Sequence, residues 1–130
     1  MPHVRIDYTP NLGASAHIEG LCQSLLSTLV ALKSDEGRAI FPAGGTRVLA
    51  YPATYAAVGP GDMARGFVYV NLRINPGRSA EALDEIGQAV QGTVALHFQR
   101  HAPDLPCRVT VHIDEGKPVF EAKGEIGIVQ

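Results

Sequence analysis

The chain repeats one plan twice. A strand pattern, a proline-containing break and a capped amphipathic helix run from V-R-I-D-Y through T-P-N-L-G. The same order recurs from F-V-Y-V-N-L-R-I through N-P-G-R-S. In the first unit Val4, Ile6 and Tyr8 alternate with Arg5 and Asp7, the period-2 mark of a strand. Ser15 is placed to cap a helix over about residues 16–32, with Ile18, Leu21, Cys22, Leu25, Leu26 and Leu29 as its apolar stripe. In the second unit Val68, Val70, Leu72 and Ile74 alternate, and Ser79 caps a helix over about residues 80–98. Leu83, Ile86, Val90, Val94 and Phe98 turn that helix inward. Ile6 answers to Leu72, Tyr8 to Ile74 and Pro10 to Pro76, so the two halves share a frame.

Each helix leads to a second strand, at residues 46–51 and 108–114. A strand–helix–strand unit makes a right-handed crossover between parallel strands. Two such units give an α+β domain: a four-stranded sheet with two helices on one face. The length of 130 residues suits one domain, with halves at about 1–64 and 65–130. Residues 52–66 read as a loop between the halves, and residues 118–122 as a short edge strand. Arg5, Asp7, Asn71, Arg73, Thr110 and His112 fall on the face away from the helices, so that face is not an apolar core. It meets solvent or lines an oligomer channel. Only 18% of residues are charged, a low share for a monomer's surface, which favours an oligomer.

Several function classes drop out. The net charge is −2 with scattered basic residues, so no nucleic-acid footprint is expected. No apolar run approaches the roughly 18 residues of a membrane span. The first residues lack the apolar stretch of a signal peptide, so a cytoplasmic location is expected. Cys22 and Cys107 make no disulfide framework, and Cys22 reads as a small buried hydrophobe. His97 and His101 stand four apart, but no glutamate base lies between them. They read as helix-capping or surface residues. The glycines of G-G-T-R and G-R-S lack phosphate-loop spacing, and no cofactor or metal site is expected.

Pro2 raises a sharper possibility. The first position of a strand tolerates proline, so it need mean nothing more. Yet methionine before proline is usually removed, which would leave a secondary amine on a rigid ring. An ordinary α-amino group titrates near ~8, and an apolar pocket or nearby cations lower that value. A neutral amine is a competent general base. The repeat is informative here, because Val68 occupies the position that matches Pro2. Leu12 or Gly13 stands where the second half has Arg78. Each half thus offers a piece the other lacks, which favours one site per subunit.

The segments M-P-H, I-F-P-A-G-G-T-R and N-L-R-I-N-P-G-R-S together resemble the 5-carboxymethyl-2-hydroxymuconate isomerases. These belong to the tautomerase family built on an amino-terminal proline. The likeness runs over essentially the whole chain. It implies a homotrimer that moves a proton within a carboxylated enol or dienol, a small-molecule substrate, without a cofactor. Pro2 would be the base and acid, Arg78 would grip a substrate carboxylate, and Arg47 would bind and polarise. Phe41 and Pro42 would be loop packing or pocket wall, and His3 would point to the opposite strand face. Arg5, Arg38 and Arg73 match no motif of the family. A simpler 2-hydroxy-dienoate or phenylpyruvate-like enol, or a non-catalytic oligomeric binding module, remains the alternative.

Overall fold

Strict alternation drives each strand to present one face to the core. In a computed structural model that describes residues 2–59 and 65–127, strand β1 covers His3–Tyr8 and β3 covers Gly66–Ile74. Val4, Ile6, Val68, Val70 and Leu72 are fully buried on one side of these strands, whereas His3, Arg5 and Arg73 are exposed on the other. Helix α1 is Ile18–Ala31, β2 is Arg47–Pro52, α2 is Ala80–His101 and β4 is Cys107–Glu115. Both helices lay their stripes on the apolar sheet face. Ile18, Leu21, Leu25 and Leu29 of α1 join Ile86, Val90, Val94 and Phe98 of α2 in one core. A hydroxyl pair, Thr28 to Thr93 at 2.7 Å, links the two helices directly.

The sheet order is β2-β1-β3-β4. Each half makes its expected parallel pair, β1 with β2 and β3 with β4, while β1 and β3 run antiparallel. Arg5 lies opposite Asn71, and these two are separated by the same spacing as Ile6 and Leu72. The approximate two-fold axis relating the halves therefore passes between Arg5 and Asn71. One end of the sheet consequently collects the starts of β1 and β2 together with the ends of β3 and β4.

The face away from the helices is polar, as the alternation implied. Arg5 Nε contacts both carboxylate oxygens of Asp7 at 3.3 Å, and its guanidinium lies 4.6 Å from the centre of the Tyr51 ring. Tyr69 pairs with His112 at 2.8 Å, and Asn71 Nδ2 donates to Asp114 at 2.7 Å. Among the described residues no helix is long and apolar enough to cross a membrane.

Four expectations are corrected. Ser15 is not the cap of α1: His17 takes that place in a left-handed conformation (φ 50°), without a side-chain cap. A 3₁₀ turn at Pro10–Leu12 carries the chain into the helix, buries Leu12, and takes the Ala16 amide onto the Leu12 carbonyl at 3.1 Å. Leu26 is 38% exposed, because Ile18, Leu21, Leu25 and Leu29 already fill the inward arc. Residues 118–122 form no strand. Pro118 offers no ladder donor, and Val119 and Phe120 are 105% and 83% exposed. Finally, α2 runs unbroken to His101, and His97 is a buried residue rather than a surface one. Part of the inter-half loop, residues 60–64, lies outside the described residues, as does Met1.

His97 ties the two helices together. Its Nε2 donates to the Ala16 carbonyl at 2.6 Å, and the His17 and His101 rings lie 6.3 and 4.4 Å from its own, centre to centre. Burial lowers the pKa of His97; the Ala16 hydrogen bond opposes this, and the neighbouring His101 and His17 lower it further. Both cysteines are free and half-buried, and burial raises the pKa of each thiol, with Glu19 adding to the effect at Cys22.

The His97 shift has a sign that can be worked out. As pH falls through about 6.5, the unfolded chain takes up the proton before the folded one does. Stability is therefore full above that value and declines below it, down to the lower folded value. Urea midpoints measured from about pH 7.5 to about pH 5.5 are expected to fall, with a shallower slope in His97→Gln.

Candidate active site

Pro2 stands immediately before β1 and is buried. Its carbonyl accepts a hydrogen bond from the Arg47 amide at 3.2 Å, which extends the β1–β2 ladder by one step. A first-position proline forfeits no ladder bond on its nitrogen side. His3 is exposed on the other strand face, as expected, with Arg47 and Arg73 as its partners on the flanking strands.

The F-P-A-G-G-T-R segment is a wound turn that presents Arg47. Pro42 opens a 3₁₀ turn at Ala43–Gly45. Its carbonyl accepts from the Gly45 amide at 3.1 Å and from the Thr46 hydroxyl at 2.9 Å. Arg47 Nη1 folds back to donate to the Gly44 carbonyl at 3.3 Å. Upstream, the Ile40 amide donates to the Leu32 carbonyl at 3.1 Å and delivers Phe41 into the core, where it is 1% exposed.

Arg78 reaches the same region from the second half. Gly77 takes φ 119°, a conformation open to glycine and strained for other residues, and so bends the chain out of β3. Ser79 then caps α2, accepting from the Ala82 amide at 3.1 Å. Between them, Arg78 Nη1 donates to the Asn75 carbonyl at 3.1 Å. Its guanidinium lies 4.9 Å from the centre of the Phe41 ring, within cation–π range. Phe41 is thus the floor beneath Arg78 and the start of the turn that ends at Arg47. The pocket-wall reading of Phe41 acquires a physical role here.

Pro2, Arg47 and Arg78 therefore belong to one end of the sheet. Leu12, the counterpart of Arg78 in the first half, is fully buried and packs close to Gly66 at the opposite end. No equivalent cation stands at that position. A cavity of about 360 Å³ flanks Arg78 on its helix side, with Lys33, Asp35, Glu81 and Glu85 in its lining. Its three carboxylates make it a poor receptacle for a polyanion. A larger cleft of about 600 Å³ lies between the helices, lined by His17, His97 and His101, on a different surface.

The arginines without a motif now separate. Arg5 is engaged with Asp7 and Tyr51, and Arg38 lies in the loop before Phe41, 4.0 Å from Glu36. Of the three, Arg73 is the strand residue at the end of the sheet that holds Pro2. Its register with His3 is the signal that sequence reading without the pairing could not supply. Among the described residues no group of three or more metal-ligating side chains could hold an ion.

Comparison with known proteins gives the family. The family model for 5-carboxymethyl-2-hydroxymuconate isomerase matches residues 2–125. The chain belongs to that family. A 5-carboxymethyl-2-hydroxymuconate Delta-isomerase from Escherichia coli is 24% identical over 123 residues, 95% of this chain and 93% of the relative. A crystal structure of a 5-carboxymethyl-2-hydroxymuconate delta-isomerase superposes with a TM-score of 0.90 at 34% identity, covering 96% of this chain and 89% of the other. The isomerase from Deinococcus radiodurans R1 gives 0.80 at 30% identity, with coverages of 95% and 88%.

The floor under Arg78 can be removed directly. Phe41→Ala is expected to lower unfolding free energy by about 3–5 kcal/mol, the range for emptying a buried aromatic site, as read from urea denaturation.

Proposed function

We propose that this chain isomerises 5-carboxymethyl-2-hydroxymuconate, with the Pro2 nitrogen as general base and then general acid. The substrate is a dienol with double bonds at C2–C3 and C4–C5. Pro2 takes the proton from the 2-hydroxyl group and returns it to C5, the far end of the conjugated system. The O–H bond breaks and a C5–H bond forms. The π electrons shift to leave a 2-oxo group and a C3–C4 double bond. One amine serves both steps, so the chemistry calls for no cofactor.

The observation that carries this reading is the convergence of Pro2, Arg47 and Arg78 on one end of the sheet. Negative charge grows on the 2-oxygen during transfer, beside the C1 carboxylate. Arginine offers a planar fork of donors that fits a carboxylate bidentately. Fixed donors aimed at developing charge lower the barrier by several kcal/mol, about 3–4 in acyl-transfer sites. We assign Arg78, held over Phe41, to a substrate carboxylate and Arg47 to the 2-oxygen region. The same cations disfavour protonation of the amine and so keep it basic in form.

The working species in this proposal is a cytoplasmic homotrimer. The polar open sheet face and the exposed Val119, Phe120 and Ile126 are surfaces that further copies of the chain would cover.

Pro2→Ala is expected to lower kcat by about 10²- to 10⁴-fold, the usual weight of a positioned acid–base group. Ketonisation of the dienol followed by ultraviolet absorbance measures it, on protein whose intact mass shows the loss of Met1. Full activity in protein that retains Met1 would sink the mechanism, since the proline nitrogen would then be an amide.

A further inference from the structure

The proposed substrate carries three carboxylates: one at each end of the muconate chain and one on the carboxymethyl arm at C5. Arg47 and Arg78 account for the 2-oxygen and one carboxylate, which leaves two carboxylates, the arm's among them, without a receptor. We propose that Arg73 binds the carboxylate of that arm and so selects the tricarboxylate over dienols that lack it. The assignment rests on the reaction proposed above.

Position comes first. Arg73 lies directly across from His3, the residue that follows Pro2. Its neighbours Leu72 and Ile74 are buried, so alternation puts Arg73 on the open face with His3 and Arg47. Adjacent strands lie about 4.8 Å apart. The arm grows from C5, the atom that receives the proton from Pro2, and its carboxylate carbon is two bonds away. Alternation puts Pro2 on the opposite face, so in this proposal Arg73 meets the arm around the end of the sheet, with its long side chain supplying the reach.

The state of its charge comes second. Arg5 has Asp7, Arg38 has Glu36, and Arg47 and Arg78 each donate to a backbone carbonyl. Arg73 has no ion pair and no side-chain hydrogen bond among the described residues. Asp114, its partner on β4, accepts instead from Asn71 Nδ2 at 2.7 Å. That pairing draws the nearest carboxylate in register toward another donor.

Support comes third. The Arg73 guanidinium lies against Gly116, where a Cβ would collide with Nη2 and Cζ. The Gly116 amide donates to the Ile74 carbonyl at 3.0 Å, which anchors this platform to the end of β3. Gly116 has no positive φ, and the Arg73 guanidinium packs where a side chain there would push that flexible tip aside. The chain thus supplies a cation, a flat seat for it at Gly116 and a diverted counter-charge at Pro2's end of the sheet.

The test compares two dienols, 5-carboxymethyl-2-hydroxymuconate and 2-hydroxymuconate, which differs by lacking the arm. For Arg73→Gln the ratio of their kcat/KM values is expected to fall about 10- to 100-fold, mainly through KM, as for the loss of a charge-assisted contact. Arg73→Lys should recover part of the ratio, and Gly116→Val should lower it by displacing the guanidinium. Loss that is equal for both substrates would overturn the assignment.

Calorimetric binding of propane-1,2,3-tricarboxylate against glutarate separates this proposal from the reaction. If the wild-type protein turns over neither dienol but Arg73→Gln abolishes its preference for the tricarboxylate, the reaction falls and the binding assignment stands. If the wild-type protein is active and Arg73→Gln leaves both preferences unchanged, the assignment falls and the reaction stands.

Discussion

The pairing of β1 with β3 is the interaction on which the site depends. Parallel pairing within each half follows from the crossover helix, but it places Pro2 and Arg78 in separate units. Only the antiparallel join between halves, with Arg5 opposite Asn71, brings the turn after β3 to the end where β1 begins. A parallel join would send Arg78 to the far end, where Leu12 sits in the first half. The join also explains why a repeated chain can hold an unrepeated site. Each sheet end draws one piece from each half, and Pro2 with Arg78 occur together at only one of them.

Local packing then converts proximity into orientation. Phe41 is buried beneath the Arg78 guanidinium, and the turn that follows it delivers Arg47 to the Pro2 carbonyl. One seven-residue segment, F-P-A-G-G-T-R, therefore touches all three proposed functional residues. A long, flexible arginine carries a large rotamer entropy, and a rigid aromatic surface with one carbonyl acceptor reduces the loss on binding. In the proposed mechanism the cations would also act on a free Pro2 amine, since positive neighbours make its protonated form less favourable.

Much of this was legible in the residues, and the rest failed for identifiable reasons. Alternation in V-R-I-D-Y and F-V-Y-V-N-L-R-I marks β1 and β3 because one face is fully buried and the other open. Ser79 is a cap in fact as in pattern, because N-P-G-R-S leads straight into its helix. Ser15 is not, because the Pro10–Leu12 turn and the His97 contact to Ala16 reset where the first helix starts. Those contacts come from residues distant in sequence, which local propensity does not see. The edge strand expected at residues 118–122 has apolar composition but a proline at its head and no partner on its own protomer. Arg47 and Arg78 were singled out through family resemblance, whereas Arg73 was placed at their end of the sheet only by the register of β3 against β1.

The central claim is that the Pro2 nitrogen is a titratable amine that carries the proton. Nitrogen-15 labelling of proline, followed by magnetic resonance across pH on the active protein, observes that atom directly. The expected result is a secondary-amine resonance that titrates with the same midpoint as the low-pH limb of kcat/KM. A resonance at an amide position that does not move with pH, in protein that still isomerises its substrate, would contradict it.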